Sequence, residues 1–394
     1  MPIDWDHLET ANAPLNAFVD WDHDAAPGEG PLAGLTIGIK SNIAVAGLPW
    51  TGGMALRRDI VADRDAAVVA GLRVAGACIL GSLNMHEAAM GATTDNPWFG
   101  RTHNPHRIGY TPGGSSGGSG AAVAAGLCDA ALGTDTLGSV RIPAAFTGVY
   151  GLKPSWGGVD TDGLVFLTRR FDCIGPLART LDVLERVWNV IGTSGNEDAP
   201  FTRVLHLPDL GGVEVQPAVG AAYRRALDAI PLPREPLVLP AEPTTIRMAA
   251  LVEIARELIE DIGADRTARA DLISDELKFI MDTFERVEPK PELLERTRDT
   301  LLSALGANGA LLMPTCPQAP FAHGRPPASQ ADFTGLANIA GLPALAIPAG
   351  LNEERLPVGV QLVGPQGSET RLIALARSLE PVLGGYTPPP AMEK

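Results

Sequence analysis

Short apolar runs separated by polar, periodic stretches mark the first part of the chain. Leu35–Ile39 is an apolar run that ends at Lys40, which predicts a strand that delivers the lysine into a site. Asp65–Ala77 has the pattern of a helix, and Cys78–Ser82 that of the strand after it. A helix followed by a strand favours an α/β fold with helices on the faces of a sheet.

The next predicted elements surround an unusual glycine-rich stretch. Gly113–Gly120 leads into the apolar string AAVAAGL, which indicates an alanine-rich buried helix. Further along, Ala310–Met313, Ala344–Pro348 and Gly359–Val363 are apolar runs of the length that central strands have.

Two segments differ from this core pattern. Residues 1–30 are polar, with scattered prolines and glycines, and predict an irregular lead-in. Residues 250–306 are charged with helical periodicity and predict a peripheral helical layer. Nothing between them has the composition of a linker, so we expect residues 1–394 to form a single domain.

Charge and cysteine content exclude several classes of protein. The 46 acidic and 31 basic residues give a formal charge of −15, which argues against nucleic-acid binding and favours a small, neutral or cationic substrate. The four cysteines form no CxxC pair, and the spacing of the histidines is not that of a metal site. The N-terminus has no apolar signal region and no membrane span is expected, so we predict a soluble cytoplasmic protein that needs no cofactor.

Three residues suggest nucleophilic catalysis: Lys40 after its strand, Ser115 in the glycine-rich stretch, and Ser139 in the string TDTLGSVR. A serine hydroxyl is a weak nucleophile until a base removes its proton. A lysine can be that base when burial lowers its pKa towards neutrality. The backbone N–H groups of Thr136–Ser139 can converge on a developing oxyanion.

Several longer strings resemble the amidase signature family and follow one another in the same order as in that family. They are PLAGLTIGIKSNIAVAGLP, NMHEAAMGATTDNPWFGRTHNP, TPGGSSGGSGAAVAAGL, ALGTDTLGSVRIPAAFTGVYGLKPS, FDCIGPLART, ANIAGLPALAIPAG and LPVGVQLVGP. Together they run from about residue 31 to about residue 380.

The resemblance implies a large mixed β-sheet flanked by helices and a Ser–cisSer–Lys triad at Ser139, Ser115 and Lys40. It implies that Ser139 attacks a carboxamide or urea-like carbonyl and that its proton passes through Ser115 to Lys40. Backbone N–H groups of Thr136, Leu137, Gly138 and Ser139 would hold the oxyanion. Asp135 and Arg141 flank this loop and are expected to support it through charge-assisted hydrogen bonds.

This sequence departs from the family pattern beside the base and the nucleophile. Ser41 stands where the family usually has aspartate, and Leu137 where it usually has glycine. Arg170 precedes the string DCIGP and is a candidate ligand for a substrate carboxylate. Trp50, Met90 and Gly91 are further candidates for binding the substrate.

The sequence favours a free-standing amidase that acts on a small amide, and a homodimer stays open. Two other functions remain possible on the same fold: the amide-hydrolysing subunit of a larger amidotransferase, and an inactive scaffold. GGSSG also fits the nucleophile elbow of α/β-hydrolases, but no apolar strand precedes it. A phosphate-binding loop is excluded because no Gly-Lys-Ser/Thr follows the glycines.

Overall fold

The computed structural model describes residues 3–193, 199–324 and 326–390. Within them the helices α1 to α12 span Trp5–Asn12, Ala67–Val74, Gly117–Ala124, Arg141–Thr147, Leu181–Ile191, Pro217–Ala229, Pro243–Ile262, Asp265–Ala268, Asp275–Phe284, Pro291–Leu305, Gly335–Ile339 and Glu369–Leu383. The strands β1 to β13 span Phe18–Trp21, Thr36–Lys40, Cys78–Leu83, Asp95–Asn96, Gly100–Arg101, Ala130–Asp135, Tyr150–Lys153, Cys173–Ala178, Arg203–His206, Arg234–Pro236, Gly309–Pro314, Ala344–Leu351 and Pro357–Val363.

Eleven of these strands form one sheet in the order β1-β3-β2-β6-β8-β7-β12-β13-β11-β9-β10. β3, β2 and β6 are parallel to one another, as are β11, β9 and β10, while the strands between them pair antiparallel. The predicted α/β fold with a large mixed sheet is therefore confirmed.

Side chains along the strands alternate between two helical layers, as the pleat of a strand requires. In β11, Ala310 and Leu312 join the core formed with α2, α5, α6 and α12. Leu311 and Met313 join the opposite core, formed with α7, α9, α10 and α11. Helices α3 and α4 cover the rest of that second face. Both faces of the sheet are thus buried, which explains why its strands are continuous apolar runs in the sequence.

The first thirty residues are not irregular throughout, which corrects the predicted lead-in. Asp4 caps α1 by accepting a hydrogen bond from the backbone of His7, and β1 pairs antiparallel with β3 at the edge of the sheet. Both elements are short, and β1 carries the polar Asp20 in only four residues. The apolar period of β1 is therefore too brief to be recognised in the sequence, and the mostly polar α1, in which only Asn12 is buried, has no clear apolar face. Residues 1 and 2 lie outside the described residues.

The segment 250–306 is helical, as its periodicity predicted, but its first helix begins earlier and reaches deeper. α7 starts at Pro243, in the first turn, where a missing N–H costs no hydrogen bond. Nine of its residues are buried, so α7 is part of the core and not only a peripheral cover.

A glycine fixes the position of the serine-rich loop relative to the sheet. A Cβ on Gly118 in α3 would lie 2.4 Å from the carbonyl oxygen of Asn84 and 2.6 Å from that of Ala17. Only glycine allows the helix to approach these two backbone groups so closely. The N-terminal turn of α3, and with it Ser115, is held against the end of β3.

All four cysteines are buried and form no disulfide. Burial raises the pKa of each thiol, that of Cys128 to about 12. Within the described residues, no helix combines the length and the apolarity that crossing a bilayer requires.

Candidate active site

The topology brings Lys40 and the nucleophile loop to the same edge of the sheet. β2 ends at Lys40 and the parallel strand β6 ends at Asp135, with Ile39 opposite Leu132. Because parallel strands share their carboxyl-terminal edge, the residues that follow β6 lie beside Lys40. The lysine side chain is completely buried there.

The amine of Lys40 is held by two hydroxyl groups. Its Nζ donates to Oγ of Ser115 at 2.6 Å and to Oγ1 of Thr134 at 2.7 Å. Asn42 in turn donates through Nδ2 to Oγ1 of Thr134 at 3.2 Å. The structure therefore joins the predicted base to the predicted bridging serine. It also adds two partners, Thr134 and Asn42, that the sequence analysis missed.

Burial gives this lysine the properties of a base near neutral pH. Loss of solvation lowers the pKa of Lys40 from 10.5 to about 7, against the opposing attraction of Asp172 and Asp135. The neutral amine of Lys40 is therefore accessible near neutral pH. The hydroxyl groups around it supply hydrogen bonds without adding a counter-charge that would restore the ammonium form.

The Ser115 loop is anchored at its backbone. The peptide bond between Gly114 and Ser115 is cis, and the carbonyl oxygen of Ser115 accepts from the backbone N–H of His86 at 3.0 Å. The N–H of Ser116 donates to the carbonyl oxygen of Ser139 at 3.2 Å. This bond joins the loop of the bridging serine to the loop of the nucleophile.

Ser139 lies between β6 and α4, and it lines a cavity of about 150 Å³. The loop around it is shaped by Gly138, whose φ of 132° is a conformation that only glycine adopts readily. Thr334 donates through Oγ1 to the carbonyl oxygen of Leu137 at 2.5 Å. The loop is thus held by its own glycine and by Thr334, with Ser139 in the wall of the cavity.

The predicted oxyanion donors do not all have free N–H groups. The N–H of Gly138 donates to Oδ1 of Asp135 at 2.7 Å, so the prediction that it binds an oxyanion is not met in this structure. Among the described residues, the backbone N–H groups of Thr136, Leu137 and Ser139 donate to no carbonyl oxygen in a turn, loop or cap. These three N–H groups are the remaining candidates for binding a negatively charged oxygen beside Ser139.

Asp135 and Arg141 form a buried ion pair beneath the nucleophile loop. Both side chains are fully buried, and two guanidinium nitrogens of Arg141 donate to the carboxylate of Asp135 at 3.0 Å. Despite its desolvation, Asp135 has its pKa lowered to about 2, by Arg141 first and then by Lys153 and Asn338. The pair therefore carries opposite charges, and Asp135 also accepts hydrogen bonds from the backbone N–H groups of Gly138 and Val140 in the loop.

A second carboxylate supports the same loop and was missed. Asp172 accepts from Oγ1 of Thr136 at 2.5 Å and from the backbone N–H groups of Leu167 and Thr168. Burial raises the pKa of Asp172 to about 6, opposed by these hydrogen bonds and by Lys40. Asp172 stands at the start of the string DCIGP, and nothing in the sequence around it predicts its hydrogen bond with Thr136.

The cavity contains only part of the predicted substrate-binding set. Met90, Gly91 and Leu137 line it together with Ser139. Trp50 does not: its indole donates to the carbonyl oxygen of Asn42 and packs on the core. Arg170 lines a different cavity, where it lies over the ring of Phe171. Arg170 is therefore not in the wall of the cavity that contains Ser139, and the prediction that it binds the substrate there is wrong.

Comparisons with known proteins identify the family. The model of the Amidase family matches residues 8–216 and 268–373. The chain is 33% identical to the A subunit of the glutamyl-tRNA(Gln) amidotransferase of Methanospirillum hungatei, over 93% of this chain and 96% of that protein. The crystal structure of the corresponding A subunit from Thermotoga maritima matches with a TM-score of 0.84 at 25% identity, covering 98% of this chain and 94% of that one. A crystal structure of an amidase matches with the same TM-score at 28% identity, covering 96% and 95%.

The chain therefore belongs to the amidase family, as the strings in its sequence predicted. Its relatives are named either as amidases or as subunits of amidotransferases. Family membership alone does not distinguish these two activities.

Proposed function

We propose that the protein hydrolyses a small carboxamide through an acyl-enzyme on Ser139, with Lys40 as the base and Ser115 as the proton bridge. The observation that carries the proposal is the completely buried Lys40, whose Nζ lies 2.6 Å from Oγ of Ser115. A pKa of about 7 gives this amine the proton affinity that a general base needs at neutral pH.

The proposed reaction uses these three residues in turn. Oγ of Ser139 attacks the amide carbon while its proton moves to Ser115, whose own proton moves to Lys40. The N–H groups of Thr136, Leu137 and Ser139 are the proposed donors to the negative oxygen of the tetrahedral intermediate. The C–N bond then breaks, and the relay run in reverse protonates the leaving nitrogen. Water repeats the sequence on the ester and releases the acid.

The cavity indicates the size and polarity of the acyl group. Its volume of about 150 Å³ is that of a cavity which can hold a molecule of roughly the size of benzene. Most of its wall is apolar, contributed by Ala89, Met90, Leu137, Leu167, Leu251, Ile254 and other side chains. A short acyl group with a partly apolar surface fits this space.

A second function is favoured by the relatives: hydrolysis of glutamine as one component of an amidotransferase. The relative from Methanospirillum hungatei has that name and matches over nearly its full length. The described lining of the cavity contains Arg247 but no carboxylate to receive the ammonium group of a free amino acid. We therefore place the small-amide activity first and make glutamine a test substrate.

A fluorophosphonate probe tests the shared chemistry. We expect the wild-type chain to be labelled and the Ser139→Ala variant to be unlabelled, with Ser378→Ala, at an exposed serine on α12, labelled as the wild type. A wild type that resists the probe and releases no ammonia from any amide would support the inactive scaffold.

Ammonia release by the purified chain then separates the two functions. Turnover of short aliphatic amides without glutamine turnover supports a free-standing amidase. Turnover of glutamine alone, or only after a partner protein is added, supports the amidotransferase component.

A further inference from the structure

Arg247 is the one charged residue among the described residues that line the cavity of Ser139. It lies on α7 and is buried, with 6% of its surface exposed. Its Nε donates to Oδ1 of Asp332 at 2.5 Å. Asp332 is almost fully buried and also accepts from Oγ1 of Thr244 at 2.7 Å. The guanidinium group is therefore held in one orientation by its inner nitrogen alone.

The two outer nitrogens of Arg247, Nη1 and Nη2, donate to no acceptor in the described residues. Donor groups without a protein acceptor in the wall of a cavity are available to a ligand oxygen or to water. Two parallel N–H groups on a planar fork match the two oxygens of a carboxylate.

A second unpaired group lines the same cavity. Gln330 is 5% exposed, and its Nε2 donates to the carbonyl oxygen of Pro327 at 3.2 Å. This bond fixes the orientation of the amide, and Oε1 is left buried without a hydrogen-bond partner in the described part of the chain. The wall of the cavity thus contains Arg247, with two outer nitrogens that have no protein acceptor, and Gln330, with one amide oxygen that has no donor, beside the nucleophile.

The location of Arg247 in the chain sets it apart from the shared machinery. The Amidase family model matches residues 8–216 and 268–373, and α7 lies entirely in the unmatched stretch between them. Lys40, Ser115 and Ser139 all lie in the matched part. A group that selects the substrate of this protein is expected where the chain departs from the family.

We propose that Arg247 binds a carboxylate on the acyl side of the substrate, so that the protein acts on small acid amides. This inference rests on the proposed amide hydrolysis at Ser139. The Oε1 atom of Gln330 accepts an N–H or O–H group of the same substrate. An anionic substrate differs from the neutral or cationic one that the net charge suggested, because a buried cavity responds to the groups in its wall and not to the total charge.

The Arg247–Asp332 pair has an alternative role as a purely structural contact between α7 and the loop that precedes α11. The two roles predict different results when the arginine is replaced. A structural role affects all substrates alike and lowers stability. A carboxylate ligand affects acid amides selectively and acts mainly on KM.

The test compares pairs of amides with the same number of heavy atoms. Succinamate is paired with 4-oxopentanamide, and glutaramate with 5-oxohexanamide, so that a carboxylate oxygen is replaced by a methyl group. Ammonia release gives kcat and KM for the wild type and for Arg247→Met, Arg247→Lys and Arg256→Met. Arg256 is exposed on the same helix and controls for the loss of an arginine from α7.

We expect the wild type to prefer at least one acid amide over its neutral partner. Arg247→Met should lower kcat/KM for that acid amide by about 10- to 100-fold, the loss expected for a charge-assisted pair of hydrogen bonds. The neutral partner should change less than about threefold. Arg247→Lys should restore only part of the loss because it lacks the fork. Arg256→Met should match the wild type. Equal losses for both members of a pair, or a wild type that prefers the neutral ketones, would overturn the inference.

Binding separates this inference from the proposed function. Calorimetric titration of succinamate and glutaramate into Ser139→Ala requires no turnover, and the double variant Ser139→Ala, Arg247→Met is the comparison. Binding that the second substitution weakens by about tenfold or more supports the carboxylate site even if the wild type hydrolyses nothing. Turnover of neutral amides by the wild type, with no binding of either acid amide, contradicts the inference and leaves the amidase function standing.

Discussion

Replacing Lys40 by methionine tests the central electrostatic claim without any substrate. The substitution keeps the length of the side chain and removes its ionisable group. In the unfolded chain a lysine holds its proton up to a pKa near 10.5, whereas burial lowers the pKa of Lys40 in the folded protein to about 7. Between these two pKa values the unfolded chain binds more protons than the folded protein does. The free energy of unfolding therefore increases as the pH rises, and the destabilising effect of burying Lys40 becomes smaller.

The size of the effect follows from the two pKa values. Between about pH 7.5 and about pH 9.5, proton linkage at this single group changes the free energy of unfolding by about 2.5 kcal/mol. Methionine has no proton to lose, so the stability of Lys40→Met relative to the wild type should be about 2.5 kcal/mol more favourable at the lower pH. The hydrogen bonds lost at Ser115 and Thr134, about 1 kcal/mol each, offset the gain by the same amount at both values.

Urea unfolding of both proteins at the two pH values measures this difference, and ionisations elsewhere cancel in the comparison. Lys278→Met, at a partly exposed lysine of α9, controls for the substitution itself and should shift the free energy of unfolding by less than about 0.5 kcal/mol. A Lys40→Met effect that is the same at both pH values would refute a depressed pKa, and with it the role of Lys40 as a neutral base.

Three further outcomes follow from the site. kcat/KM for a neutral amide should fall about tenfold per pH unit below about 7, where Lys40 is protonated, and a flat profile down to about pH 5 would exclude it as the base. Arg141→Met leaves a buried carboxylate without its cation and should cost about 3–5 kcal/mol in urea unfolding, so a cost below about 1 kcal/mol would contradict the buried pair. Gly138→Ala places a Cβ 2.3 Å from Oγ1 of Thr334 and should lower kcat by about 100-fold or more, whereas Gly34→Ala, which also has a positive φ but open space around it, should leave kcat unchanged.

The elements that the sequence predicted well are those with long apolar runs. β2, β3 and β11 to β13 lie within a few residues of their predicted positions because strands buried on both faces leave continuous hydrophobic stretches. β1 was missed because four residues carry too short a period, and α1 because most of its eight residues are polar and only Asn12 is buried.

The residues of the site also fall into two groups, those that the sequence identified and those that it did not. Lys40, Ser115 and Ser139 were identified because they belong to long strings that resemble a family. Thr134 was not, although it lies near the end of β6, the strand that is parallel to β2 and shares its edge. The pairing of Ile39 with Leu132 places Thr134 near Lys40, but this pairing joins residues that are far apart in the sequence and cannot be predicted from it. Arg247 and Gln330 are far apart in the sequence and come to line one cavity only through the packing of α7.

The four buried thiols give this protein a practical advantage as a subject for labelling. Because none is accessible and each has a raised pKa, thiol reagents have no reactive target among the native residues. One cysteine placed at Ala328, an exposed position that lines the cavity of Ser139, would therefore carry the whole signal of a fluorescent maleimide. Its emission would report directly when a small molecule enters the cavity, including molecules that are never turned over.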